Sequence, residues 1–191
     1  MNPHMSRVLY VGSATFFLTV IVSFVSKIIL GNVGLALGLF ILLLIISIGV
    51  IFDVIGTAIT ATKERPFNAM ASKKVSGAKQ ALRLIKSADY VASFCNDIIG
   101  DITGTVSGAT GAAIALNLII APTKGLISET AVGTIVIGFV AALTVSGKAW
   151  GKKFAISEPE KIILTVGKLL AWLEKSTGLV VMSDSKSMNR K

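Results

Sequence analysis

Four long stretches without a charged side chain limit the ways in which this chain can fold. They cover residues 8–26, 33–52, 102–123 and 130–147. A helix needs roughly 20 apolar residues to cross the hydrocarbon core of a bilayer, and each stretch is close to that length. Only 15% of the 191 residues are charged, well below the share in an ordinary soluble domain. The sequence therefore predicts an all-α membrane protein with four transmembrane helices, at residues 8–30, 33–60, 90–121 and 129–148.

The first stretch also has features of a signal peptide, since it follows Arg7 and lies near the N-terminus. Its apolar part is longer than the roughly 7–15 residues of a signal-peptide core, and it has no Ala-x-Ala type cleavage site. A retained helix over residues 8–30, after a short N-terminal segment 1–7, is the preferred interpretation.

Basic residues are concentrated in two segments, and this sets the expected orientation. The first segment lies between the second and third apolar stretches, over residues 62–87, and the second follows Gly147. Cytoplasmic loops are enriched in lysine and arginine, so both segments are expected on the cytoplasmic side. With an even number of crossings, both termini are then cytoplasmic. A multi-pass protein of the cell membrane is predicted.

Apolar residues recur at helical spacing within both basic segments, over residues 66–87 and 159–175, while the lysines lie elsewhere on each helix. Two amphipathic helices on the cytoplasmic side are therefore predicted, the second beginning at Pro159. We interpret them as anchors on the membrane surface. The alternative is a belt of helices that moves with a gate.

Carboxylates and an amide interrupt the apolar sequence at two places. Asp53 follows the second stretch, while Asn96, Asp97 and Asp101 precede the third. A charged residue at the centre of a bilayer costs about 2.5–3.5 kcal/mol and normally faces protein or water. These hard oxygen atoms suit Mg²⁺ or Ca²⁺. Two other interpretations remain open: the acids lie near the cytoplasmic headgroups, or Asp53 or Asp101 pairs with Lys148.

The third predicted helix also carries a ridge of small residues. Gly100, Gly104 and Gly108 recur at every fourth position, beside the stripe that contains Asp97 and Asp101. A ridge of this kind allows another helix to approach closely. It is interpreted first as a helix-packing interface.

Composition argues against catalysis and against binding of nucleic acid. His4 is the only histidine and Cys95 the only cysteine, so the spacing supports no catalytic triad, zinc site or internal disulfide. The net charge of +9 comes from residues at the ends of apolar stretches, with few aromatic residues for stacking on bases. No enzymatic activity and no organic cofactor are expected.

Several short pieces of the chain, in this order, resemble the transmembrane domain of the cyclin-M and CorB/CorC magnesium transporter family. The pieces are the run from Phe52 to Ala61, the basic surface helix with Ala81-Leu82-Arg83-Leu84-Ile85, the helix with Asn96, and Glu158-Pro159-Glu160-Lys161. The resemblance covers about Leu35 to Leu173, within a domain of residues 33–176. It leaves 8–30 as an additional N-terminal helix and 177–191 as a polar basic tail. That tail is too short for the CBS pair that commonly follows the family's membrane domain, so none is expected.

The chain also departs from the family's pattern. Thr57 fits the family's Thr-Ala, but the residues from Asp53 to Gly56 replace a Ser-Gly-Ser-Glu pattern. Asn96 matches the family's asparagine, although Cys95 stands where the family has glycine. Lys148 falls where the family has an acidic residue. Either the acids of this chain form a rebuilt cation site, or Lys148 fills the site as an internal counter-ion.

The leading hypothesis is therefore a membrane protein, expected to be a homodimer, that handles Mg²⁺ between helices two, three and four. The expected ligands are Asp53, Thr57, Asn96, Asp97 and Asp101. The alternative is a scaffold or regulatory subunit that does not transport, in which Lys148 fills the site and the glycine ridge binds a separate partner. A weaker alternative is a proton-coupled or monovalent carrier.

Overall fold

Helices form all the regular structure in the computed structural model, which describes residues 3–31, 34–120 and 129–178. The helices are α1 (Pro3–Gly31), α2 (Leu35–Ala61), α3 (Glu64–Ser72), α4 (Ala78–Lys86), α5 (Ala88–Ser93), a π-helical segment (Phe94–Ile99), α6 (Gly100–Ile120), α7 (Glu129–Ser157) and α8 (Pro159–Thr177). No strand occurs within the described ranges. The expected all-α fold is thus confirmed.

Two of the described helical stretches are long and apolar enough to cross a membrane. They are α2 and the part of α7 over Gly133–Ser157. Large apolar side chains point away from the rest of the protein on both of them, such as Phe40 on α2 and Phe139 on α7. Such exposed apolar surface is typical of a helix that is in contact with the lipid of a membrane. Within α1, Gly12–Val25 is a shorter apolar stretch.

The chain divides into two compact units, of which the first comprises Met1–Ile51 and Ile98–Ala149. Helix α1 packs along α6 in this unit. A buried cluster joins α2, α6 and α7 through Leu42, Ile46, Ile114 and Val140. Gly111 allows this approach, because a Cβ there would lie 2.9 Å from a methyl group of Val140. Small residues thus bring α6 and α7 together, as helices in membranes commonly pack.

The second unit comprises Phe52–Asp97 and Trp150–Lys191, and its core joins the end of α2 to the short helices. Phe67 of α3, Leu84 of α4 and Ile163 of α8 are buried together there. Helix α8 begins with Pro159, which suits the first turn of a helix, and ends at Gly178 in the left-handed conformation. The apolar sides of α4 and α8 therefore pack on each other within this core.

The segment predicted as one amphipathic helix over 66–87 contains two helices in the structure, α3 and α4. The chain reverses between them, where Lys74 has φ 56° and Gly77 has φ 80°. Gly77 lies against the backbone of Gly167 and Lys168, so that no Cβ would fit at this position. The close crossing of α4 and α8 thus requires a residue without a side chain at Gly77.

Other boundaries also differ from the sequence-based ones. The helix predicted over 90–121 begins at Ala88 and contains the π-helical segment, and α7 continues nine residues past the predicted end at 148. The predicted loop around Pro122 and Lys124 lies outside the described residues, as does the tail beyond Gly178.

Candidate cation site

Asp53 is the most buried charged residue among those described. It lies on the last turns of α2, and its side chain is only 6% exposed. The Nζ atom of Lys152, on α7, lies 3.8 Å from Asp53 Oδ1. The side chain of Lys152 is 53% exposed, so its long aliphatic stem connects the solvent-facing surface to a buried carboxylate. The second oxygen, Asp53 Oδ2, has no hydrogen-bond partner among the described residues.

Asn96 supplies a second buried oxygen atom without a partner. It lies in the π-helical segment, and its Oδ1 atom accepts no hydrogen bond from the part of the chain that the structure describes. Its amide packs directly on Gly56 of α2, where a Cβ would overlap the Asn96 side chain. Gly56 follows Asp53 by three residues, and residues at this spacing lie on one face of a helix. Asn96 and the carboxylate of Asp53 therefore meet the same face of α2, about one turn apart.

Thr57 belongs to the same face, because it follows Asp53 by four residues. It is partly buried, and its backbone carbonyl accepts a hydrogen bond of 2.8 Å from the hydroxyl of Thr60. The end of α2 thus carries a carboxylate and a hydroxyl on one face, and the amide of Asn96 packs on Gly56 of the same helix. These are oxygen donors of the kind that hard cations prefer.

The π-helical segment changes the arrangement expected for the third helix. Asp97 lies in this segment, is exposed, and accepts a hydrogen bond of 2.8 Å from the hydroxyl of Ser93. The polar stripe predicted from Asp97 onward therefore holds only within α6, where Asp101 and Thr105 keep a spacing of four residues. Local π-helical turns inside α-helices often occur at functional sites. The sequence predicts a regular helix over this stretch, and its residue spacing does not reveal the π-helical turn.

Asp101 and Lys148 belong to the first unit, where both line a groove between α6 and α7. The groove has a volume of about 540 Å³. Lys148 Nζ donates a hydrogen bond of 3.4 Å to the carbonyl oxygen of Gly100. Lys148 is thus held by a neutral acceptor, whereas the lysine beside Asp53 is Lys152.

The glycine ridge lines this same groove without being covered. A Cβ at Gly104 or at Gly108 would have no atom within 4 Å. Gly111, one turn further on, packs closely on Val140. The ridge therefore contains two glycines that no other helix approaches within the described part of the chain.

The predicted ligands are divided between the two units. Asp53, Thr57 and Asn96 belong to the second unit, together with the exposed Asp97, and Asp101 belongs to the first. Among the described residues, no group of three or more histidine, cysteine, aspartate or glutamate side chains could hold a metal ion. A cation at Asp53 would therefore need amide, hydroxyl or backbone oxygen atoms as its other ligands.

Lys152 is the residue of this site that the sequence reasoning missed. It follows Lys148 by four residues and so lies on the same face of α7. This spacing could have identified Lys152 as a candidate partner of Asp53, because two lysines on one helix face could both reach an acid near the end of α2. Compared with known proteins, the chain matches no family model, no curated protein and no solved structure.

Proposed function

We propose that this chain is a membrane protein that binds and handles a cation, with Mg²⁺ as the favoured substrate, at a site formed by Asp53 and Asn96. The observation that carries the proposal is the pair of buried oxygen atoms without hydrogen-bond partners, Asp53 Oδ2 and Asn96 Oδ1. Leaving such groups buried and unpaired costs about 1–3 kcal/mol each, and more for a charged group. A bound cation would satisfy both at once.

The donor set of this site fits a hard cation. A carboxylate and an amide oxygen are common ligands of Mg²⁺, which also keeps several water molecules in most protein sites. Thr57 would supply a further oxygen from the same face of α2. The resemblance to the CorB/CorC transmembrane domain supports the same assignment, because Thr57 and Asn96 are two of the positions that match the family.

The proposed protein crosses the cell membrane four times, through α1, α2, the continuous stretch from α5 to α6, and α7. Both termini are proposed to be cytoplasmic, and the functional unit is proposed to be a homodimer. The exposed lysines of the second unit support this orientation, because cytoplasmic segments are enriched in basic residues. Asp97 and Asp101 are both exposed. We therefore assign them to the path by which the cation enters, and not to the ligands that hold it most tightly.

In this proposal Lys152 is the internal competitor of the cation. Its ammonium neutralises Asp53 when no ion is bound, and it must move away when a cation takes the carboxylate. The half-exposed side chain of Lys152 gives it room to do so. One positive group then replaces another beside the carboxylate of Asp53.

We expect Lys152→Gln to bind Mg²⁺ about ten-fold more tightly than the unmodified protein. Because the Lys152 side chain is half exposed, its ion pair with Asp53 is expected to contribute about 1 kcal/mol, and a divalent ion feels about twice the repulsion of a monovalent one. Without Mg²⁺ the variant is expected to melt at a lower temperature, because Asp53 loses its partner. The measurement is the melting temperature in detergent over a Mg²⁺ titration, together with Mg²⁺ influx into proteoliposomes.

The matched control is Lys153→Gln, which removes the same charge from the adjacent exposed position. It is expected to leave both the affinity and the melting temperature unchanged. Equal effects in the two variants would mean that only the general surface charge matters. A Mg²⁺ response absent from every form would refute the proposed cation site.

A second candidate function is that of a scaffold that binds another transmembrane helix. The uncovered glycines of the α6–α7 groove favour it, because small residues at this spacing are a common contact between helices in membranes. In this case the groove, with Asp101 and Lys148 at its edge, would accept a helix from a second subunit or from a separate regulatory partner.

The scaffold candidate predicts that Gly104→Leu weakens assembly by about 5- to 150-fold, because overpacking of a close contact costs about 1–3 kcal/mol. Gly138→Leu is the matched control, since Gly138 is also open but lies on α7 outside the groove. Subunit stoichiometry measured by native mass spectrometry from nanodiscs distinguishes them. An oligomer that dissociates equally in both variants, or in neither, would argue against the groove as the contact.

A further inference from the structure

The exposed face of α8 carries lysines and a tryptophan on one strip. Lys168 precedes Trp172 by four residues, and Lys175 follows it by three, so the three side chains lie together on the helix surface. Leu169 lies beside them. Trp172 and Leu169 are 63% and 57% exposed. The opposite face of α8 is buried through Ile163 and Gly167, so this strip faces away from the core of the second unit.

No acidic side chain among the described residues neutralises the positive charges of this strip. Lys161, one turn before it, forms an ion pair of 2.9 Å with Glu158. Neither Lys168 nor Lys175 forms an ion pair with any residue of the described ranges. Glu174 points to the other side of the helix, where it accepts hydrogen bonds from Gln80 and Arg83 of α4. The strip therefore combines two free ammonium groups with an exposed indole ring.

The position of α8 in the chain indicates what this strip meets. Only Glu158 separates the end of α7 from the start of α8, and consecutive Cα atoms lie about 3.8 Å apart. The membrane-length stretch Gly133–Ser157 ends at this junction. If α7 crosses the bilayer, α8 begins at the level of the lipid headgroups.

The end of α7 shows the same combination of residues. Trp150 is followed by Lys153 and Phe154 at spacings of three and four, and Trp150 is 76% exposed. Tryptophan side chains are enriched at the boundary between lipid and water, where an apolar ring meets a polar layer. Lysines beside them are attracted to anionic lipid headgroups.

We propose that the strip of Lys168, Leu169, Trp172 and Lys175 binds the headgroup layer of anionic phospholipids, with the Trp172 ring at the acyl boundary. This inference rests on the proposed membrane crossing of α7 but not on the cation site. It differs from the interpretation of α8 as an amphipathic anchor, in which the periodic apolar residues would face lipid. Those residues pack on α4, and the opposite, lysine-bearing face meets the bilayer instead.

The two tryptophans of the chain allow a direct test. Trp150→Phe leaves Trp172 as the only tryptophan, so the tryptophan fluorescence comes from this position alone. The variant is reconstituted into vesicles that mix phosphatidylglycerol with phosphatidylcholine, and only one of the two lipids carries bromine on its acyl chains. Brominated phosphatidylglycerol is expected to quench Trp172 at least about two-fold more strongly than brominated phosphatidylcholine at the same mole fraction.

The charge contribution is tested by adding Lys168→Gln and Lys175→Gln to this protein. The preference for brominated phosphatidylglycerol is expected to disappear. Lys73→Gln with Lys74→Gln is the matched control, because these lysines are exposed on the connection between α3 and α4. Their removal is expected to leave the preference unchanged. If both pairs of substitutions abolish the preference for brominated phosphatidylglycerol equally, the anionic lipids do not bind specifically at this strip.

A reporter on α7 separates failure of this inference from failure of the membrane proposal. In a protein without native tryptophan, Phe139→Trp places an indole ring on an exposed position of α7. Quenching at position 139 without quenching of Trp172 would overturn the lipid contact of α8 alone. Equal quenching of Trp172 by both brominated lipids would overturn the preference for anionic headgroups. Absence of quenching at both positions would also refute the membrane crossing of α7.

Discussion

Asp53→Asn is expected to abolish the binding of Mg²⁺ and its transport. The substitution keeps the size of the side chain but removes the only charge that the buried face of α2 presents. Even groups that merely support metal ligands are worth about 10–100-fold in affinity, so the loss of this carboxylate is expected to exceed about 100-fold. Titration calorimetry in detergent and Mg²⁺ influx into proteoliposomes measure the two effects.

Asp97→Asn is the control for Asp53→Asn, because Asp97 is also a carboxylate of the second unit but is exposed and held by Ser93. We expect it to lower affinity by less than about ten-fold, since exposed charges are screened by water and salt. If Asp53→Asn retains full binding while Asp97→Asn loses it, the site lies at the exposed carboxylate and the assignment to Asp53 is wrong.

Gly77→Ala is expected to lower the stability of the second unit strongly. The left-handed conformation costs a non-glycine residue about 1–2 kcal/mol, and the clash with the backbone of α8 adds about 1–3 kcal/mol. A loss of about 3 kcal/mol lowers the melting temperature by about 6–12 °C in a chain of this length. Melting followed by size-exclusion chromatography in detergent measures the change.

Gly178→Ala separates the two causes of this loss. Gly178 also has a left-handed conformation, with φ 70°, but a Cβ at this position has no atom within 4 Å. We expect a cost of about 1–2 kcal/mol there, from the backbone conformation alone. Equal destabilisation by the two variants would show that the crossing of α4 and α8 tolerates a methyl group, contrary to the packing described above.

The helices themselves were largely predictable from the sequence, because long apolar stretches and periodic apolar residues are local patterns. The all-helical fold and the apolar character of α2 and α7 follow from such patterns alone. Asp53 and Asn96 are candidates from the sequence alone, since a polar residue next to a long apolar stretch is conspicuous whatever its partners.

Features that depend on two distant segments were not predictable in the same way. The division of residues 66–87 into α3 and α4 depends on Gly77 meeting the backbone of α8, about 90 residues further on. The choice of Lys152 over Lys148 as the partner of Asp53 depends on how α7 lies beside the end of α2. Periodicity places both lysines on one face of a helix and cannot distinguish them.

The π-helical segment was missed for a different reason. The six residues Phe94–Ile99 include no proline or glycine that would interrupt a regular helix. Regular helical spacing places Asp97 on a stripe that continues into α6 at Asp101. A shift from four to five residues between hydrogen-bonded groups changes which side chains share a face, and nothing in the local sequence marks it.

The ion pair between Lys152 and Asp53 also affects how tightly the proposed site would hold a cation from solution. A group on a short flexible tether behaves as a ligand at an effective concentration on the order of millimolar. An ion from solution must therefore compete with an ammonium that is always present and never diffuses away. The apparent affinity for the cation would be its intrinsic affinity for the oxygen ligands, reduced by a factor that grows with the strength of this ion pair. A change in the length of the side chain at position 152 would therefore shift the cation concentration at which the site fills.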